Sequence, residues 1–492
     1  MKFLKQIIVL VILIVSFQSY AQDNVFLDRA FWKENPNVET IDQKIKEGNS
    51  PSQLNGYSFD AVVYAILEEV DNATLEYLIS QEGNTANKLT HDGRTYIFWA
   101  AYKGNVELMQ YLLKKGAKTD IIDDHGNTIL NFAASTGQQN TAVYDLCLEN
   151  GADLEKDLNH NGANALLLVA PSDKDFKLIN YFTSKGLDIN SVDSNGNGIF
   201  NYVARIGNIE LLNKLVDKGL KGNDNAFIFA SQGTRGKTNG IEVFEYLERL
   251  GLNPNTSTKE GITPLHALAS RSDDVKLLSY FIEKGVDVNQ PDSEGNTAFM
   301  SAISRNNLET IAFLFKQVKD INVVNKKGES ALALATEYNS SEVVQFLIKS
   351  KADVNAVDAK GNNLTYYLIN SYNSKKSEDF KAKLELLQNE ELDVTKIQKD
   401  GNTLFHLALD KNDLGLLKWV NTFKVDVNAK NNEGISPLHK AAMTAKNDAI
   451  IKYLLSIGAN KKAVTEFDET AYDLASENEI LKQNNISIDF LK

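Results

Sequence analysis

Ten glycines recur at nearly fixed distance along the chain. Gly93, Gly126, Gly162, Gly196, Gly261, Gly295, Gly328, Gly361, Gly401 and Gly434 are separated by 33, 36, 34, 65, 34, 33, 33, 40 and 33 residues. A period of this size marks a small supersecondary unit that cannot bury its own apolar face and must stack on its neighbours. The 65-residue gap is nearly twice the others, so one unit inside it has lost its glycine. The length of 492 residues agrees with an array. A single compact core stops growing at roughly 250–300 residues.

Around each glycine the same residues return. Residues 261–269 read GITPLHALA, 434–442 read GISPLHKAA and 401–408 read GNTLFHLA. The other half of the unit appears as LLKKGAKTD (112–120), ENGADLE (149–155), EKGVDVN (283–289), KADVN (351–355) and SIGAN (456–460). Each piece has a physical role. The turn glycine supplies a positive φ. Thr263 and Ser436 can cap a first helix, with Pro264 and Pro437 at its first position, where no N–H is needed. Paired alanines such as Ala100-Ala101, Ala133-Ala134 and Ala441-Ala442 let helices approach closely. A second helix carries Leu108, Tyr111, Leu112 and Leu113 as one apolar stripe. The glycine before Ala-Asp ends that helix.

These strings are similar, in register and over essentially the whole chain after its first residues, to the ankyrin repeat. The resemblance implies an all-α ankyrin-repeat solenoid of about 14 helix-turn-helix units. It would have turn or β-hairpin fingertips and be curved, with a concave binding face. The expected organisation is a signal peptide at 1–21, amino-terminal atypical capping repeats at 22–89 and ankyrin repeats at 90–221. A degenerate repeat with a loop insertion follows at 222–257, then ankyrin repeats at 258–464, with a longer insertion near 371–379. Residues 465–492 form a carboxy-terminal capping repeat. Helices are expected around 27–34 and 38–47 in the first cap. The insertion GTRGKTNG (233–240) and the one at 371–379 are both expected at helix–helix connections.

The start of the chain reads as a secretory leader. Lys2 and Lys5 precede nine apolar residues, 7–15, and Ser19-Tyr20-Ala21 ends the segment. Nine residues are too few to span a bilayer, which takes about 20. The expected location is therefore outside the cytoplasm, periplasmic in the first place and secreted in the second. The net charge of −13 becomes −15 without the two leader lysines. Such a surface repels phosphate backbones and anionic lipid, so neither nucleic acid nor stable membrane insertion is expected. Cys147 is the sole cysteine and sits in an apolar run, 143–148. It is read as a buried small hydrophobe, and stability must come from packing alone.

GTRGKT resembles a phosphate-binding loop, but Ser231 stands where the first glycine belongs and the stretch links two helices. Asp157, Asn159, Asn161 and Gly162, and again Asp193, Asn195, Asn197 and Gly198, match the start of a calcium loop. The bidentate glutamate is replaced by Leu168 and Ala204. His91, His125 and His160 lie in successive turns, about 10 Å apart, too far for one zinc ion. No nucleophile elbow, zincin helix or dinucleotide fingerprint appears. No catalytic residue, metal or cofactor is therefore expected, and the chain reads as not an enzyme.

The resemblance implies a function: a non-catalytic, monomeric protein–protein interaction scaffold that grips a partner with turn tips and first-helix ends. Carried over by position, the candidate contacts at Gly93 are His91, Asp92, Arg94, Tyr102 and Lys103. At Gly126 they are Asp124, His125, Asn127, Ser135 and Thr136; at Gly261, Lys259, Glu260, Ile262, Ser270 and Arg271. At Gly328 they are Lys326, Lys327, Glu329, Glu337 and Tyr338. The ten turn glycines and the histidines His266, His406 and His439 are structural, the histidines bridging neighbouring turns. Tyr96, Phe98 and Trp99 replace the usual Pro-Leu-His stretch beside Tyr102. They are either part of a binding hot spot or filler at the junction with the first cap. On the first reading, Arg94→Ala with Tyr102→Ala abolishes capture of the partner without lowering the melting temperature. Exported bacterial relatives of this kind are associated with catalases in peroxide defence or with immunity to secreted toxins. A dedicated protective or inhibitory partner of one exported enzyme is the alternative function.

Overall fold

A computed structural model describes residues 24–305 and 307–492; the leader expected at 1–21 lies outside the described residues. The chain divides into two compact units, Met1–Ala226 and Phe227–Lys492. Among the described residues there are 28 α-helices and five short 3-10 turns, and no sheet is formed. The fold is an all-α ankyrin-repeat solenoid, with helices in pairs and an extended finger between one pair and the next.

The two helices of a pair are buried differently, and composition explains it. In the helix Tyr96–Lys103, Tyr96, Ile97, Phe98, Trp99, Ala100 and Ala101 are all buried. This first helix is sandwiched between the first helices on either side and its own partner. The second helix, Val106–Lys114, buries only Leu108, Met109 and Leu112. Its Glu107, Gln110 and Lys114 face solvent, the stripe expected of a helix covered on one side. Boundaries follow cap chemistry. Thr128 accepts from the Asn131 amide and Asn105 from the Leu108 amide, which satisfies amides left open at a helix start. Gly116 and Gly285 adopt φ of 83° and 89° just after second helices, where a side chain would be strained.

The ends are closed by bulky and capped residues. At the start, Val25–Leu27 is a 3-10 turn, followed by helices Arg29–Trp32 and Val38–Lys46. Phe26 and Trp32 stack there at 5.6 Å, fully buried. At the other end, Thr470 and Asp473 form a reciprocal cap on helix Ala471–Glu477, and Leu481 and Leu491 fold back onto it.

The two irregular units depart in different ways. In the regular unit beginning at Gly186, 12 residues (187–198) separate the helix-ending glycine from the next helix at Ile199. From Gly219 to the helix Ala226–Gln232 there are only six (220–225), so the finger itself is missing, not only its glycine. The extra residues 233–240 form a tight hairpin: Thr234 and Lys237 exchange main-chain hydrogen bonds of 3.0 and 3.1 Å around Arg235-Gly236. The lengthened unit adds a 3-10 turn, Ser374–Lys376, and a 13-residue second helix, Ser377–Asn389. Most of its added length is therefore helix, not loop. The fingertips are tight turns; isolated bridges at Val324/Ser330 and Val464/Thr470 are all the pairing they carry among the described residues.

Candidate interaction surface

Each finger is a self-closed turn. In the finger ending at Gly126, the Asp123 carboxylate accepts from the amides of His125 and Asn127 at 3.0 and 2.8 Å. Asp292, Asn325, Asp358 and Asn431 repeat the arrangement. The turn glycine then takes a positive φ, 79° at Gly126 and 77° at Gly328. A Cβ at Gly126 would stand 2.2 Å from the His160 ring, and one at Gly328 would stand 2.4 Å from the Ala359 amide nitrogen. Glycine is required twice over, by conformation and by the next finger's approach. Neighbouring fingers are joined by main-chain bonds: Asp124 N–H donates to Asp92 O at 3.0 Å, Lys326 to Glu294 O at 2.8 Å and Ala359 to Lys327 O at 2.8 Å.

The histidines of the Pro-Leu-His position tie helix to finger. His266 Nδ1 accepts from Thr263, and Nε2 donates to the Asn296 carbonyl of the next finger at 3.0 Å. His406 and His439 do the same with the carbonyls of Ile435 and Ala463. Burial holds His266 and His406 below the usual imidazole range, against the opposing pull of those carbonyls.

In the first unit, the surface is built around Asp92, which sits at φ 57°. Its carboxylate oxygen is met by Arg94 at 3.0 Å, His125 at 3.1 Å and His91 at 3.5 Å. Burial raises the Asp92 pKa, but the His125 hydrogen bond and the charges of Arg94, His91 and His125 outweigh it and hold it low. His91 also pairs with the Tyr57 carbonyl and stacks on Phe59 at 4.5 Å. Asp124, His125, Ser135 and Thr136 are exposed. The two hydroxyls turn back to the Phe132 carbonyl. Lys103 is held by Glu69.

Two expectations need correction, and one open alternative is decided. Arg94 is not a surface anchor: it is 7% exposed. Its Nε donates to Asp123 at 2.9 Å, and its guanidinium lies 4.2 Å from the Phe132 ring centre and 5.4 Å from that of Trp99. Asn127 is also buried, its amides bonded to Asp123. Tyr96, Phe98 and Trp99 are filler: all three are buried, Tyr96 bonded to Asp60 and Trp99 to Thr90. What they leave outside is Tyr102, 37% exposed, its ring 6.1 Å from Phe132.

In the second unit, Lys259, Glu260, Lys326 and Lys327 are exposed on their fingers, and Ile262 is half-buried. Arg271 is exposed and donates to the Gln232 carbonyl, while Ser270 bonds within its own helix. Glu329 accepts from Asn325 at 2.8 Å. Glu337 is half-buried; burial raises its pKa, and the Glu329 charge adds to that against Tyr338 and Lys411. Burial and the Glu337 carboxylate push the Tyr338 phenol up to about 12. Tyr338 is 59% exposed.

Other groups singled out by pattern are absorbed by the fold. Asp193 accepts from the amides of Asn195 and Asn197 and from the Tyr202 hydroxyl. Asn159 accepts from the amides of Asn161 and Ala163. Cys147 is buried, and burial, with the Asp157 charge, pushes its thiol up to about 12. Among the described residues, no three metal-binding side chains converge and no helix is long and apolar enough to cross a membrane.

Two features were missed in the sequence. The asparagine closing Asp-Val-Asn clasps the following unit: Asn289 accepts from the Lys319 amide and donates to the Gln317 carbonyl, both at 2.9 Å. Asn428 does so with Asn460 and Gly458. An exposed apolar residue also recurs four positions before the turn glycine: Leu89, Ile122, Leu158 and Val192 in the first unit, Val324, Val357 and Ile397 in the second. Both were legible as further periodic positions.

Comparison with known proteins agrees with this geometry. Models of tandem ankyrin repeats match residues 62–160, 227–325, 296–358 and 373–465, and a further one matches 167–216. The chain is 25% identical over 229 residues to the phosphocholine transferase AnkX of Legionella pneumophila, a match covering 46% of this chain and 22% of that protein. It is 26% identical over 160 residues to the putative ankyrin repeat protein FPV230 of fowlpox virus, covering 30% of this chain and 82% of the other. It is 29% identical over 153 residues to the mouse neurogenic locus notch homolog protein 1, covering 31% of this chain and 6% of that one. The aligned stretch is thus a minor part of the transferase and of Notch. With family models covering well over half of its length, and helix pairs, fingers and bridging histidines in register, the chain belongs to the ankyrin repeat family.

Proposed function

We propose that the chain is a non-catalytic scaffold that binds a partner protein through its fingers and first-helix ends. The observation that carries this reading is the rigidly backed aromatic surface of the first unit. Tyr102 stands against Phe132 on a frame of Arg94, Trp99 and Phe132 that is already locked by two carboxylates. Tyr57, 76% exposed, is joined to the same finger through the hydrogen bond that its carbonyl accepts from His91. Exposed aromatics on a preorganised base lose little entropy on binding and are typical hot-spot residues. The polar groups of the fingers are engaged with their own turn amides, which favours a positioning role over catalysis. The apolar leader at 7–15 supports export to the periplasm or beyond, and the partner is then an exported protein.

The test is Tyr57→Ala combined with Tyr102→Ala in the full chain. The pair should abolish capture of the native partner, identified by mass spectrometry from envelope extract, while leaving the melting temperature unchanged. Undiminished capture sinks the reading.

A further inference from the structure

The missing finger leaves a built notch at the end of the first unit. A cleft of about 180 Å³ opens there, where regular units have a finger. It is lined by Val192, Gly196 and Gly198 of the last intact finger, by Asn201, and by Lys221 and Asn223 of the shortened connection. Of the ten turn glycines, nine would drive an added Cβ into the next finger; around Gly196 nothing lies within 4 Å. The hydrogen-bond edge is open as well. Asp92, Asn161, Glu260, Glu294, Lys327 and Asp400 each give their carbonyl to an amide of the following finger. The equivalent carbonyl is that of Asn195, and among the described residues no main-chain hydrogen bond reaches it. None reaches His125, Lys360 or Glu433 either, so the open carbonyl marks the notch only together with the empty space at Gly196. Asparagines stand in for part of the lost stitching: Asn223 donates to the Gly196 carbonyl at 2.8 Å, and Asn225 to Asn197 at 2.8 Å. They secure the floor and leave Gly196 itself uncovered.

We infer that this notch is a docking site for a β-turn presented by a partner protein, which takes the place of the absent finger. The chemistry selects the occupant. A glycine floor at Gly196 and Gly198 admits close main-chain approach. The Asn195 carbonyl asks for one main-chain N–H, as in β-strand or turn addition to an open edge. The Val192 side chain offers an apolar lip, 55% exposed. A short polar turn of the Asp-x-x-Gly kind, the shape of the chain's own fingers, satisfies all three. The inference rests on the reading of the chain as a protein-binding array and adds a location and a shape to it.

The probe is a cyclised peptide copying the finger at residues 287–297, titrated into the full-length protein with isotope-labelled methyl groups. It should bind in the millimolar range or tighter and shift the methyls of Ile189, Val192, Ile199 and Leu220, which line the cleft. Two variants close the site. One inserts a six-residue fingertip between Lys221 and Gly222; the other is Val192→Arg, a substitution at an exposed side chain that leaves the fold intact. Each should weaken the peptide by about tenfold or more, a loss of one hydrogen bond and its packing. No methyl shift at millimolar peptide, shifts confined to other parts of the chain, or equal binding by Val192→Arg would overturn the inference. If the peptide fails while the native partner is still captured, only the notch is lost and the scaffold reading stands.

Discussion

Arg94 illustrates how one residue can be recruited inward by its neighbours. Its position beside a turn glycine marks it as a surface contact, yet Asp92 and Asp123 neutralise it and the Phe132 and Trp99 rings cover its guanidinium. Asp123 is itself fully buried at its side chain. Removing the arginine leaves that carboxylate without a counter-charge, and breaking a buried pair in this way costs about 3–5 kcal/mol. Arg94→Ala should therefore lower stability by that order in urea denaturation. This reverses the expectation that Arg94→Ala with Tyr102→Ala is silent in melting. An unchanged midpoint would show the guanidinium to be a bystander.

At the scale of the element, the bridging histidines make the finger-to-helix joint sensitive to acid. His266 and His406 accept at Nδ1 and donate at Nε2, so the neutral ring fits and a second N–H would face the Thr263 or Thr403 donors. Their folded pKa values lie below the ordinary 6.5, chiefly through burial. The sign follows. A base with a depressed folded pKa contributes its full stability above the unfolded value and loses it as pH falls through the folded one. Lowering the pH from about 7.5 to about 5.5 should thus cost the wild type more melting temperature than it costs a His266→Gln, His406→Gln double variant. Equal losses in the two proteins would exclude these rings as the cause. The helices themselves needed little beyond the sequence. Thr and Asn caps, glycine stops and a 3.6-residue apolar stripe are local signals, and they place helices such as Val106–Lys114 directly.

Over the whole molecule the charge is unevenly shared. Residues 24–226 carry 18 Lys and Arg against 28 Asp and Glu, a net −10, whereas residues 227–492 carry 32 against 36, a net −4. Like charges on one folded unit repel, and salt screens them over a Debye length of about 8–10 Å. Raising salt from about 0.02 M to about 0.3 M should increase hydrogen-exchange protection more in the first unit than in the second. A larger gain in the second unit would mean that local ion pairs, not net charge, set the response. The same imbalance favours a basic partner surface for the first unit.

The array, its helix pairs, most of its caps and the position of its irregular units follow from the sequence alone, because a repeating chain states each local rule ten times over. The structure decided which polar residues face outward. Arg94 has the same local surroundings as an exposed residue, but the next unit brings Phe132 and Asp123 against it, and no local signal carries that contact. It also decided what an absence means. A missing glycine reads as a blemish in the string. In three dimensions, six absent residues remove one finger from a ladder in which each finger packs against the one before, and the gap at Gly196 is left open.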